Sequence, residues 1–152
     1  MRRTLTVLVA ALGALAAGLV LPQPVATAAP ATCEGVWVVV DATAAGGSVS
    51  TACATRHGTG REALESAGFT TARAASMLCK IDDLPERCEV STSAYWSYWQ
   101  ARPSGNHYGD WEYANLGPDT YQPEGGYAEG WVFGDGRTPP SVLPDTLAVG
   151  CA

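Results

Sequence analysis

Hydrophobic positions along the chain fall into short β-type runs interrupted by one helical stripe. Gly35-Val36-Trp37-Val38-Val39-Val40-Asp41 is rich in β-branched residues and predicts a buried strand. Ala45-Gly46-Gly47 has turn chemistry, and Ser48 to Cys53 alternates weakly as a returning strand, which together predict a hairpin. Thr59-Gly60-Arg61-Glu62 then matches a capping box, in which side chains satisfy the first amide donors of a helix. Ala63, Leu64 and Ala67 make its apolar stripe, and Gly68 ends it where a left-handed residue is wanted, with Phe69 anchoring the exit.

After this helix the strand period returns. Thr70 to Ser76 is small and polar and carries no strong pattern, so it is expected as a loop. Met77 to Ile81 alternates as a strand, and Asp82 to Arg87, around Pro85, predicts a turn-rich connection. Tyr95-Trp96-Ser97-Tyr98-Trp99 places four large rings in five residues. Successive side chains of a strand point to opposite faces, so Tyr95, Ser97 and Trp99 share one face and Trp96, Tyr98 and Gln100 the other. Pro103 to Gly109 is expected as a loop, Trp111-Glu112-Tyr113 as a short strand and Gly117 to Gly126 as a turn-rich connection. Trp131-Val132-Phe133 is the last strand, closed by Gly134-Asp135-Gly136. The aromatic run is expected to be a central strand with one face packed on the Thr59–Ala67 helix, and Trp111 and Trp131 to extend the other face.

The ends of the chain change how much of it is fold. Met1-Arg2-Arg3, the apolar run from Leu5 to Leu21 and Ala26-Thr27-Ala28 predict a secretory signal peptide over residues 1–28. No lipoprotein box precedes Cys33, because Pro30-Ala31-Thr32 stands there. The expected domain covers 29–137, and 138–152 is expected as a weakly structured tail; no internal repeat or second domain is evident. Leu143-Pro144-Asp145-Thr146-Leu147 approaches a sortase signal but lacks its glycine and the apolar span and basic end that follow one. Removing Arg2 and Arg3 with the leader leaves 7 basic against 15 acidic residues, a net charge of −8. That field disfavours nucleic acid as a partner and suits a soluble extracellular protein.

All five cysteines lie beyond the leader, where oxidation is expected. Two bridges and one leftover admit 15 arrangements, so counting alone leaves the pairing open. Cys33 and Cys53 fall at the open end of the first hairpin, where a bridge holds the two strands; Cys79 and Cys88 bracket the Pro85 loop. These are the expected disulfides, with Cys151 unpaired. A zinc site is disfavoured, since no Cys-x-x-Cys pair exists and His57 and His107 are far from any cysteine pair.

Taken in order, the Val-rich strand ending at Asp41, the capped helix ending in Ala67-Gly68-Phe69 and Cys79-Lys80-Ile81-Asp82 are followed by the Tyr95–Trp99 run. Trp111-Glu112-Tyr113-Ala114-Asn115-Leu116-Gly117 and Glu129-Gly130-Trp131-Val132-Phe133-Gly134 complete the series. This series, from about Val36 to Gly136, resembles small secreted actinobacterial proteins related to the C-terminal domain of transcobalamin and intrinsic factor. The resemblance implies an α+β fold, a β-grasp-like mixed sheet packed on one short helix. In transcobalamin-type proteins this domain covers one face of a corrinoid beside a larger helical domain, of which this sequence has no counterpart.

Eleven of the 13 aromatic residues lie between Tyr95 and Phe133, more than one small sheet needs for its own core. Rings with polar tips suit planar or sugar-like partners, so Tyr95, Trp96, Tyr98, Trp99, Trp111, Tyr113 and Trp131 are the candidate ligand-binding residues. Catalytic motifs are missing: no Gly-x-Ser-x-Gly elbow, no His-Glu-x-x-His helix and no phosphate loop occur. His57 or His107 with Asp110 or Asp41, and a carboxylate pair drawn from Glu112, Glu124 and Glu129, are the weaker catalytic alternatives. The expected function is therefore a secreted, non-enzymatic binding module whose aromatic sheet face holds a small planar ligand, with a corrinoid as one such ligand. A cell-wall glycan or protein-binding surface, and a small hydrolase, are the alternatives. No metal, no other cofactor and no membrane insertion after leader removal are expected.

Overall fold

The computed structural model describes residues 33–89 and 91–142. The expected leader, the Leu143–Leu147 stretch and Cys151 lie outside the described residues. The architecture is a mixed sheet with one short helix, mostly strands, held by two disulfides. Its strands are β1 (Val36–Asp41), β2 (Val49–Ala54), β5 (Tyr95–Ala101), β8 (Glu112–Tyr113) and β9 (Ala128–Gly134). They lie in the order β2-β1-β9-β5-β8; β1 and β9 run parallel and the other neighbours antiparallel.

Every residue of β1 is buried, which is why its sequence lacks polar alternation. Val36, Val38 and Val40 face helix α1 (Gly60–Ser66), where Ala63 and Leu64 meet them together with Ile81, Trp96, Tyr98 and Trp131. Trp37 and Val39 point to the opposite face, into a second core with Cys33, Ala101, Tyr108 and Ala128. The helix face is also covered by an outlying hairpin of β3 (Thr71–Ala74) and β4 (Met77–Ile81). On the opposite face lies a smaller hairpin of β6 (Pro103–Ser104) and β7 (His107–Tyr108), whose Tyr108 is buried.

The helix ends as its sequence dictates. Thr59 Oγ1 accepts the Glu62 amide at 3.1 Å, and Glu62 Oε2 reaches back to the amide of Gly58 at 3.0 Å. At the other end Gly68 takes φ +100°, its N–H donates to Glu65 O, and the Phe69 N–H donates to Leu64 O. These two bonds form a Schellman motif, which satisfies carbonyls the helix would otherwise leave unpaired.

Three stretches depart from the pattern reading. Thr70 to Ser76, expected as a loop, contains β3, and Pro103 to Gly109 contains the β6–β7 hairpin. Both hairpins stand outside the main sheet and bury little on their outer sides, so their sequences need no clean alternation. The expected tail from Thr138 is also partly built into the fold. Ser141 donates through its N–H (3.1 Å) and its hydroxyl (2.6 Å) to Asp41 Oδ2, and Trp111 Nε1 donates to Val142 O at 2.9 Å. Residues up to Val142 thus strap the opposite face. Gly130 makes room for that strap, since a Cβ there would lie 2.4 Å from Pro140 Cγ.

The disulfides are Cys33–Cys53 and Cys79–Cys88, with Cα separations of 5.4 and 4.9 Å. They close loops of 20 and 9 residues, so loop-closure entropy assigns them about 3 and about 2.5 kcal/mol. Replacing Cys33 and Cys53 together with alanine is expected to cost at least the larger figure, because Cys33 also sits in the second core. Urea midpoints of the two double variants check the order.

Candidate functional site

Between the helix face of the sheet and the elements above it lies a cavity of about 300 Å³. Its floor is Trp96 and Tyr98 of β5 with Trp131 of β9. Tyr98 and Trp131 are cross-strand partners, which sets their rings 4.7 Å apart with a 32° tilt. Met77 and Leu78 of β4 form one wall, and Gly117 to Thr120 form the other. Arg61 of α1, Arg73 of β3 and Asp119 stand at the rim.

The 117–121 loop is latched to the start of the helix: the Gly60 N–H donates to Tyr121 O and the Arg61 N–H to Pro118 O, both at 3.0 Å. Asp119 accepts from Arg61 Nε and from Arg73 Nη2, so one carboxylate ties helix, loop and hairpin together. Arg61 Nη1 also donates to Glu65 Oε1 at 3.0 Å. The hydrogen bond from Arg61 holds the Asp119 carboxyl below its ordinary value, and the same bond raises the guanidinium pKa. All three rim charges are therefore matched within the protein.

The polar tips of the three floor rings differ in what they meet. Trp96 Nε1 donates to Leu84 O at 3.3 Å, and Tyr98 Oη donates to Glu129 Oε1. Trp131 Nε1 is buried and has no acceptor among the described residues. Glu129 is fully buried behind Tyr98, and burial pushes its carboxyl up to about 8 despite the bond from Tyr98. Burial, with the Glu129 carboxyl beside it, raises the Tyr98 phenol as well.

The seven ring residues read from the sequence do not form one surface. Trp96, Tyr98 and Trp131 meet at the cavity. Tyr95, Trp99, Trp111 and Tyr113 belong to the opposite face: Trp99 packs edge-on against Tyr113 at 5.1 Å, and the Tyr95 and Tyr113 hydroxyls are 3.3 Å apart. Trp131 thus lies on the helix face and not beside Trp111, a correction to the expected pairing. The reason is phase. Trp131 is registered opposite Tyr98, and paired residues share a face.

The weaker catalytic groups are dispersed. His57 Nδ1 lies 2.9 Å from Pro123 O, and His107 is exposed on the opposite-face hairpin. Asp41 is engaged by Thr43 and Ser141; burial pushes its carboxyl up, but those hydrogen bonds outweigh it and hold it below its ordinary value. Glu112 and Glu124 are exposed while Glu129 is enclosed. Among the described residues no group of three or more His, Cys, Asp or Glu could hold a metal ion. Sequence reasoning missed Arg61, Arg73 and Asp119 as a unit, because Asp119 is 58 and 46 residues from its two partners. No local spacing signals such a meeting. No protein family, curated protein or solved structure matches the chain.

Proposed function

We propose that this chain is a secreted binding module that holds a compact planar ligand in the cavity over Trp96, Tyr98 and Trp131. The observation that carries this reading is a partly open cavity of about 300 Å³ floored by three buried rings and rimmed by fixed charges. Largely preformed apolar pockets with a few polar groups are the usual form of a small-molecule site. An apolar cavity of about 150 Å³ accommodates benzene, so this one has room for roughly two fused rings. A whole corrinoid is wider than that, which turns the reading toward smaller ligands.

A β-grasp-like lineage akin to the transcobalamin C-terminal domain is supported by the central parallel pair of first and last strands, β1 and β9. Antiparallel β2 and β5 flank that pair, and one helix covers the sheet. Secretion is supported by two disulfides in so small a chain. Among the described residues no helix is long and apolar enough to cross a membrane. Among the described residues the exposed large apolar side chains are Met77, Tyr113 and Leu116, and Met77 belongs to the cavity wall, so a ligand in the cavity is favoured over a glycan or protein surface.

Tryptophan fluorescence during titration with one- and two-ring aromatic metabolites, with cobalamin as an oversized control, tests the proposal. Saturable quenching is expected for a compact ligand. Met77→Asp, at a half-exposed position of the wall, is expected to weaken that binding about tenfold by placing a charge against an apolar ligand. Its thermal midpoint should stay within a few degrees of the parent. Absence of saturable quenching across the panel, or indifference of binding to Met77→Asp, counts against the cavity.

A further inference from the structure

Residues 138–142 lie on the opposite face of the sheet much as a peptide lies on a receptor. Among the described residues no backbone–backbone hydrogen bond joins them to the rest of the chain; side-chain bonds hold them. Asp41 Oδ2 accepts the N–H and the hydroxyl of Ser141, at 3.1 and 2.6 Å, and Trp111 Nε1 donates to Val142 O at 2.9 Å. Asp41 is only 4% exposed, and its Oδ1 accepts the N–H and hydroxyl of Thr43, so the carboxylate is aimed without help from the strap. Gly130 stands in a central strand, where a glycine weakens the sheet and marks close approach by a ligand or another backbone. A Cβ there would lie 2.4 Å from Pro140 Cγ and 3.1 Å from Trp111 Cζ3, so proline ring and indole share the space of the missing side chain. Each proline fixes its own φ and keeps the residue before it extended, so Thr138-Pro139-Pro140 loses little freedom on docking. The strap does not fill its groove. A partly open cavity of about 400 Å³ remains beside it, lined by Thr138 and Pro139 of the strap and by Thr43, Phe133 and Gly134 of the body.

We infer that this face is a receptor for an extended Pro-Ser-apolar segment of a partner protein, and that residues 138–142 occupy it when the partner is absent. The proline ring sits over Gly130, the serine N–H and O–H bind Asp41, and the next carbonyl accepts from Trp111 while its side chain joins the second core. A tethered strap competes at an effective concentration on the order of millimolar, so an outside segment prevails only through added contact. The open part of the groove supplies that contact, and the partner segment carries a larger apolar side chain where the strap has Thr138. The cavity on the helix face takes no part in this recognition.

Ser141→Asp in the full chain tests this, because it sets a second carboxylate against Asp41 and releases the strap from an exposed position. The ¹⁵N-labelled parent and variant are titrated with the capped hexapeptide Arg-Thr-Pro-Pro-Ser-Val, the sequence of residues 137–142. The Trp111 indole N–H, assigned from a Trp111→Phe spectrum, is expected to move upfield in the variant and to return to the parent's position as peptide binds. The parent should bind the peptide at least tenfold more weakly than the variant, since its own strap competes. On the variant, the Thr138→Leu form of the peptide is expected to bind about tenfold more tightly and the Ser141→Ala form about tenfold more weakly. An indole resonance that Ser141→Asp leaves unmoved makes the strap a fixed part of the fold, and a released face that binds none of the peptides is no receptor; either result overturns the inference. Equal affinity for the Thr and Leu forms removes the means by which an outside segment prevails and overturns it too. So does a parent that dimerises with concentration in light scattering while Ser141→Asp does not, since a second copy is then the occupant.

Discussion

The stability of a Glu129→Gln variant relative to the parent is expected to rise by roughly 3 kcal/mol in all between about pH 5 and pH 7. Glu129 is fully buried, and its folded pKa of about 8 stands above its ordinary value of 4.5. Between those values the unfolded chain has released a proton that the folded chain still holds. The contribution of a raised group is complete below its unfolded pKa and is lost as pH climbs through the folded one. Roughly 3 kcal/mol of the parent's stability is therefore spent between about pH 5 and pH 7. Glutamine has no proton to release, and its amide oxygen still accepts from Tyr98 Oη. On the acid side the sign reverses. Asp41 and Asp119 are held below their ordinary value, so stability is lost as pH falls through their folded pKa values. The parent should be most stable in mildly acidic solution. Urea midpoints across the pH range check this, and parallel profiles for parent and variant would show that Glu129 ionises freely in the fold.

Gly60→Ala is expected to destabilise the protein by about 2–3 kcal/mol, although alanine is about 1 kcal/mol better than glycine within a helix. Gly60 opens α1 directly against the buried pair beneath it. A Cβ there would lie 2.1 Å from Tyr98 Oη and 3.0 Å from Glu129 Oε2. Neither group can retreat easily, because each is enclosed and they are bonded to one another. Either the helix lifts, loosening its latch to the 117–121 loop, or the Tyr98–Glu129 bond breaks. In a Tyr98→Phe background the same substitution should cost less, since the nearest atom is gone. Chemical denaturation of the four proteins of this cycle measures the coupling. A Gly60→Ala chain as stable as the parent would mean that the helix sits farther from the sheet than described.

These two expectations differ in how far they could be read from the chain itself. Thr59, Glu62 and Gly68 announce a capped helix because capping is local chemistry, completed within a few residues. They give no hint that Gly60 is pressed on Tyr98, 38 residues later in the numbering. The strand at Val36–Asp41 is legible because burial on both faces demands an unbroken apolar run, and the strand at Tyr95–Ala101 through its rings. The Cys33–Cys53 pair follows from a hairpin that brings its ends together. Thr71–Ala74 is not legible, since an outlying hairpin of small residues has no face that must be apolar. Glu129 reads from the sequence only as one of three carboxylates that a catalytic pair could draw on; its register opposite Gln100, on the helix face, is what buries it.

The candidate site divides along the same line. Alternation along one strand tells that Trp96 and Tyr98 share a face and that Tyr95 and Trp99 share the other, because a strand's period is a property of its own backbone. Which face meets the helix, and where Trp131 falls relative to both, depends on cross-strand register between segments about thirty residues apart. The convergence of Arg61, Arg73 and Asp119 over those rings depends on where a helix, a hairpin and a loop come to rest. Local order therefore determined the strands of the main sheet, the helix, its caps and the disulfide pairs, since each is set by its own period, by near neighbours or by a hairpin's own ends. Tertiary packing alone decided that three of the seven rings floor a cavity and that one of them keeps an unmet donor, because a cavity exists only between elements.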